Sequence, residues 1–220
     1  MAFSHMQTET GDLLNMTISA TSTVTTTQVQ RELNTARDIV LNRLLSLGQN
    51  YNVRLSKTDL VADQELYGLP SDLRKLTRVE VGYSTSSDRY KVDRIDSNNA
   101  NDPVYTTYTE TDPKYMVRGN NIELEPTPSS AVTDGLWLWY VENPSDMSLE
   151  TATSGLPLDY DHLLPLYAAA KGKFTLGLHN EGNNFMAQFK MGVEDMSTEV
   201  IERNLDDGDM IIIRDEYGGL

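Results

Sequence analysis

The hydrophobic period changes twice along this chain, and that double switch restricts the fold more than any other feature. Leu33, Ala36, Val40, Leu44 and Leu47 recur at the spacing of one helix face, with Arg31, Glu32, Arg37, Asp38 and Arg43 largely off that stripe. Thr77 to Tyr83 instead alternates apolar and polar side chains at period two. Further short strands are predicted at 88–95, 104–108, 115–117, 122–124 and 136–141, between clusters of Asn, Asp, Gly and Pro. Helical spacing then returns through Leu163, Leu166, Tyr167, Ala170, Phe174 and Leu178, and again through Phe185, Phe189, Val193, Met196 and Val200. The expected architecture is α+β: a small α-helical bundle of one N-terminal helix plus a C-terminal helix pair, with an inserted antiparallel β subdomain and extended terminal arms.

Local chemistry sets the expected boundaries. Residues 1–26, rich in Thr and Ser, read as a mobile arm, within which Ser4-His5-Met6 resembles a cloning remnant. Residues 27–204 form the main domain, with a helix at 27–47, the β subdomain at 51–144 and helices at 158–203; residues 205–220 form a tail. Thr26 or Thr27 is placed to cap the first helix and Gly48 to stop it. Gly119-Asn120-Asn121 reads as a hairpin tip, because these residue types tolerate positive φ. Pro165 fits within the first turn of a helix capped by Asp161, and His179 to Asn183 reads as the link between the paired helices.

Several chemistries find no support. The apolar runs Leu136–Val141 and Met210–Ile213 are far shorter than the roughly 20 residues of a membrane span. The first residues show no basic leader followed by an apolar stretch, so neither a secretory signal nor a membrane partner is expected. With no cysteine, disulfides and thiolate chemistry are excluded. His5, His162 and His179 do not share a helix face, and His162 and His179 read as cap or surface residues. The glycines at 172, 177, 182 and 192 lack the G-K-[ST] of a phosphate cradle. Asp206-Asp207-Gly208-Asp209 lacks the alternate ligands of a calcium loop, since Arg203 and Leu205 break the register. No cofactor, metal or catalytic residue is expected.

The formal charge of −15 is uneven: residues 1–100 carry 11 Lys/Arg against 12 Asp/Glu, and residues 101–220 carry 7 against 21. Such a carboxyl half repels phosphate backbones, so tight DNA binding is not expected. Trp137 and Trp139 project from one face of a predicted strand whose other face, Leu136, Leu138 and Tyr140, is also apolar. A strand apolar on both faces is normally covered on both, which makes the two tryptophans candidate subunit contacts; a sugar- or base-stacking platform is the competing reading. Met210, Ile211, Ile212 and Ile213 are a second candidate contact, a β-prone run expected to order by adding a strand or plug to a neighbouring subunit or partner.

Four phrases in order, Leu66-Tyr67-Gly68-Leu69-Pro70-Ser71-Asp72-Leu73-Arg74, then Gly119 to Pro128, Trp137 to Pro144 and Leu156-Pro157-Leu158-Asp159-Tyr160, resemble the head-to-tail adaptor (connector or neck) proteins of tailed bacteriophages over about residues 30–200. The resemblance implies a structural virion protein of the phage neck, assembled in the host cytoplasm. It implies a homo-oligomeric ring, commonly dodecameric, between the portal protein and tail or stopper proteins, with DNA passing through the lumen without specific binding. Neck-completion and tail-terminator proteins share ring assembly, and a carbohydrate-binding module is the alternative from another class.

Overall fold

A computed structural model describes residues 1–50, 52–84, 89–95, 108–156 and 160–206, without the side chains of 203–206. The strand expected at 104–108, apart from Tyr108, residues 157–159 and the tail beyond Asp206, with Met210, Ile211, Ile212 and Ile213, lie outside the described residues. The fold is α+β, with four helices and a curled, mixed seven-stranded sheet among the described residues. The chain divides into two compact units, a helical one from Met1–Gln49 with Ser145–Leu220 and a β unit from Asn50–Pro144.

In the helical unit, α1 (Phe3–Leu14), α2 (Thr26–Ser46), α3 (Leu163–Thr175) and α4 (His179–Asp206) are arranged with α3 in contact with the other three. That position explains the composition of α3. Leu163, Leu164, Tyr167, Ala168, Ala169, Ala170 and Lys173 are all buried, so the helix has no solvent stripe and its small residues let neighbours approach closely. Gly182 and Gly192 of α4 serve the same approach, since a Cβ at either would overlap Phe174 or Leu163. Tyr167 meets Phe189 edge-on at 5.1 Å, and the buried Lys173 ammonium is paired with Glu181 at 2.7 Å. Phe189, Met196 and Val200 bury the expected face of α4.

Five expectations need correction here. Residues 1–26 are not an arm without structure: Phe3, Met6, Thr10 and Leu14 are buried along α1, and Met6 is fully so. The cap of α2 is Thr25, whose hydroxyl accepts from the Gln28 N–H at 3.2 Å, because the helix begins one residue earlier than the Thr tract suggested. Arg37 is not off the buried stripe; it is 1% exposed and donates to the Ser145 carbonyl at 2.7 Å. Asp161 does not cap α3: its carboxylate accepts from Ser154 Oγ and the terminal amine, and His162 occupies the cap position without a side-chain bond. The link between α3 and α4 is Leu176–Leu178, with Gly177 at φ 75°, and His179–Asn183 is already helical.

The β unit contains β1 (Val53–Leu60), β2 (Leu66–Gly68), β3 (Leu73–Val81), β4 (Tyr90–Arg94), β5 (Lys114–Arg118), β6 (Asn121–Glu125) and β7 (Val132–Glu142), in the order β1-β7-β3-β4-β5-β6-β2. Every pairing is antiparallel except β4 with β5, so the sheet is mixed where a purely antiparallel one was expected. Leu66-Tyr67-Gly68, within the expected β subdomain, is an edge strand. The sheet curls so that Tyr67 of one edge and Leu60 of the other share a core with Val79, Val81, Ile122, Leu124, Leu136 and Leu138. The Tyr67 hydroxyl donates to the Gln64 carbonyl at 3.1 Å and accepts from the Val61 N–H at 3.2 Å, tying that turn to the core. Gly119, at φ 59°, makes the β5–β6 turn, and the prolines at 126 and 128 follow the end of β6.

Candidate functional site

The strand that carries both tryptophans, β7, is eleven residues long and lies between β1 and β3. Alternation along it sends Leu136, Leu138 and Tyr140 into the core, where they are buried, and leaves Trp137 and Trp139 half-buried on the outer face. Their ladder neighbours are set by register. Trp137 stands beside Lys57 of β1 and Glu80 of β3, and Trp139 beside Leu55 and Arg78.

A bulge at the start of β7 builds the surroundings of Trp137. Thr58 pairs with Leu136 while Leu60 pairs with Val132, so β7 holds extra residues at 133–135, and Asp134 takes φ 52°. Gly135 is needed in this bulge: a Cβ there would stand 2.7 Å from Leu60 and 3.1 Å from the Gly82 carbonyl. The turned Asp134 carbonyl accepts from Trp137 Nε1 at 2.8 Å and from Arg89 at 3.4 Å, while its own N–H donates to Asp59 at 2.8 Å. The guanidinium of Arg89 then lies 3.7 Å from the centre of the Trp137 ring and the ammonium of Lys57 4.5 Å from it. They arrive from opposite flanks of β7, Lys57 from β1 and Arg89 from the β3–β4 side. Trp137 is thus a fixed residue whose ring is already occupied by two cations of its own chain.

Trp139 differs. Its Nε1 is sealed from water yet has no acceptor among the described residues. The Arg78 guanidinium beside it is paired with Glu80 at 2.6 Å, and Arg54 at the end of β1 with Glu142. Thr77 Oγ1 donates to the Trp139 carbonyl at 2.8 Å, and the Tyr140 hydroxyl donates to Asp72 at 3.0 Å. Burial, followed by that bond, holds the Tyr140 hydroxyl above the usual tyrosine range, so it is a neutral donor. The outer face is therefore aromatic at its centre and lined with paired charges.

The structure brings Trp137 and Trp139 together on one face, as the spacing predicts, and leaves Met210, Ile211, Ile212 and Ile213 outside the described residues. Lys57, Arg89, Asp59 and Asp134 were missed; the signal for them was the Asp134-Gly135 pair, a bulge-prone dipeptide just ahead of an aromatic strand. Among the described residues no three or more His, Asp or Glu side chains form a group that could hold a metal ion, and no helix is long and apolar enough to cross a membrane.

A profile of the SU10 adaptor protein family matches residues 1–209. The chain belongs to that family. It is a family of phage head-to-tail adaptors, so this is a phage structural protein. No curated protein matches the chain. The match takes in α1 and the loop after it, which lie ahead of the stretch 30–200 where the four phrases carry the resemblance; the first helix of this adaptor is thus part of the family's pattern and not an appendage.

Proposed function

We propose that this adaptor is a non-enzymatic subunit of the phage neck, forming a dodecameric ring beneath the portal protein and joining it to tail or stopper proteins, with DNA passing through the lumen. The observation that carries the reading is the family match across residues 1–209, which spans both units. Two features of the chain support it. The outer face of β7 offers an aromatic patch suited to protein contact, Trp137 clamped in place and Trp139 half-buried beside it. Charge fits a conduit: the helical unit carries 8 Lys/Arg against 18 Asp/Glu and the β unit 10 against 15, so neither gives a net positive surface to grip phosphates. Within the helical unit the acidity lies in its carboxyl-terminal part, where residues 145–220 carry 5 Lys/Arg against 14 Asp/Glu.

Co-expression with the portal protein of the same phage tests the proposal. The expected result is a stable complex whose mass, by light scattering, corresponds to a ring of adaptor copies on each portal. A portal that elutes without adaptor at micromolar concentrations of both would refute it. Replacing Trp139 by Ala should weaken that complex, or the ring itself, at least tenfold while the subunit stays folded by far-UV circular dichroism at the assay temperature.

A further inference from the structure

β1 is the outermost strand of the sheet: it pairs with β7, and among the described residues no strand lies on its other side. An eight-residue edge offers a row of main-chain donors and acceptors to any extended chain, and proteins blunt such edges with charge. Here the charge is basic and exposed. Arg54 and Lys57 are 61% and 42% exposed against the one acid of the strand, Asp59, which already accepts from the Asp134 N–H; Arg54 is paired with Glu142, and Lys57 stands 3.9 Å from Asp134 and over the Trp137 ring. Such an edge repels a second copy of itself and favours a strand flanked by acids. It is also partly apolar: Val53 is 42% exposed, Val61 just beyond the strand is 48% exposed, and Leu55 is half-buried beside Trp139.

The chain itself encodes a strand of that kind. After Asp206, where α4 ends, come fourteen residues in which Met210-Ile211-Ile212-Ile213 is preceded by Asp206, Asp207 and Asp209 and followed by Asp215 and Glu216. At about 3.3 Å per extended residue, Met210 to Ile213, four to seven residues past Asp206, come within reach of an acceptor edge about 13–23 Å from the end of α4. A closed ring needs a heterologous contact, in which a donor on one copy meets a different acceptor on the next. An acid-flanked apolar strand and a basic, partly apolar sheet edge are such a pair. We propose that Met210–Ile213 of one copy adds as a strand to the free edge of β1 in the neighbouring copy, linking subunits around the ring. This rests on the ring reading and names the contact that closes it.

Because the chain has no cysteine, the contact is open to site-specific cross-linking. Val53→Cys and Arg214→Cys are placed in two separately tagged full-length proteins, which are mixed, assembled on portal and treated with a short bismaleimide. The expected product is a two-chain species carrying both tags. Adding Ile212→Lys to the Arg214→Cys chain should cut its yield at least tenfold while leaving the subunit's melting curve unchanged. Rings that form without the mixed species, or a yield indifferent to Ile212→Lys, overturn the inference and leave the ring reading standing. A link found only within single chains carrying both cysteines places the tail on its own β1 and overturns it too. Failure to assemble any ring, on portal or alone, overturns the ring reading and this contact with it.

Discussion

Val40 lies at the middle of α2 with no solvent exposure, on a helix that packs against α3 and α4, so Val40→Asp is a direct probe of the helical unit. Losing the burial of this side chain removes about 1.5–3 kcal/mol. The new carboxyl must then either carry its charge in an apolar site or take up a proton. Protonation at pH 7 of a group that titrates near 4 when unfolded costs about 4 kcal/mol, at about 1.4 kcal/mol per pH unit. Partial repacking and water entry reduce the sum, and the expected loss is about 4–6 kcal/mol, a large share of the roughly 5–15 kcal/mol that holds a domain together. In melting temperature that is a fall of about 8–24 °C for a chain of this size. The sign of the pH dependence separates electrostatics from packing. A carboxyl whose folded pKa is raised imposes its full penalty above that pKa and progressively less as pH falls toward the unfolded value, so the deficit should shrink toward pH 4. Val40→Ala should instead lose about 1–2 kcal/mol at every pH. Urea unfolding followed by far-UV circular dichroism is the appropriate assay, because both tryptophans lie in the β unit and their fluorescence does not report on the helices. A loss below about 1 kcal/mol, or one that does not vary with pH, refutes the burial of Val40.

Trp137→Phe deletes the indole bond to the Asp134 carbonyl and weakens two cation contacts, and should lower β-unit stability by about 1–2 kcal/mol in urea unfolding. Gly182→Ala forces a methyl group against the Phe174 ring and the Ala170 carbonyl and should cost about 1–3 kcal/mol, measured as a drop in thermal midpoint. Burial, then the neighbouring Glu123 and Glu65, raise the Glu125 pKa, so its ionisation opposes folding; Glu125→Gln should stabilise the protein at pH 7 and lose that advantage below pH 4.5, where both forms are neutral. No band shift of double-stranded DNA is expected at physiological salt up to low micromolar protein, given the charge of −15, and salt-sensitive binding there would contradict the conduit reading.

Elements with a one-sided environment were legible in the sequence. The stripes of α2 and α4 face a neighbour on one side and water on the other, and the alternation of β3 and β7 marks a core face. α1 was hidden because its buried positions include Thr10 and Gly11, which read as polar or breaking, although Phe3, Met6, Thr10 and Leu14 keep helical spacing. The start of α4 was mistaken for a link because Gly182 usually breaks helices; here it is the space that Phe174 fills. Arg37 looked like a surface residue because burial of a guanidinium depends on a carbonyl supplied by distant Ser145. The same reason limits the site. Two tryptophans at spacing two announce a shared face, but that Lys57 and Arg89 meet over Trp137 follows only from the strand order β1-β7-β3-β4, which no local pattern encodes.

The central claim, that this chain is a ring subunit joining the portal to the tail, is tested most directly by cryo-electron microscopy of the neck in intact virions. The account predicts a ring of density directly beneath the portal into which the helical unit and the β unit of this adaptor both fit, with Trp139 at a protein–protein contact. Density there that accommodates neither unit, or absence of the protein from purified virions by mass spectrometry, would contradict it.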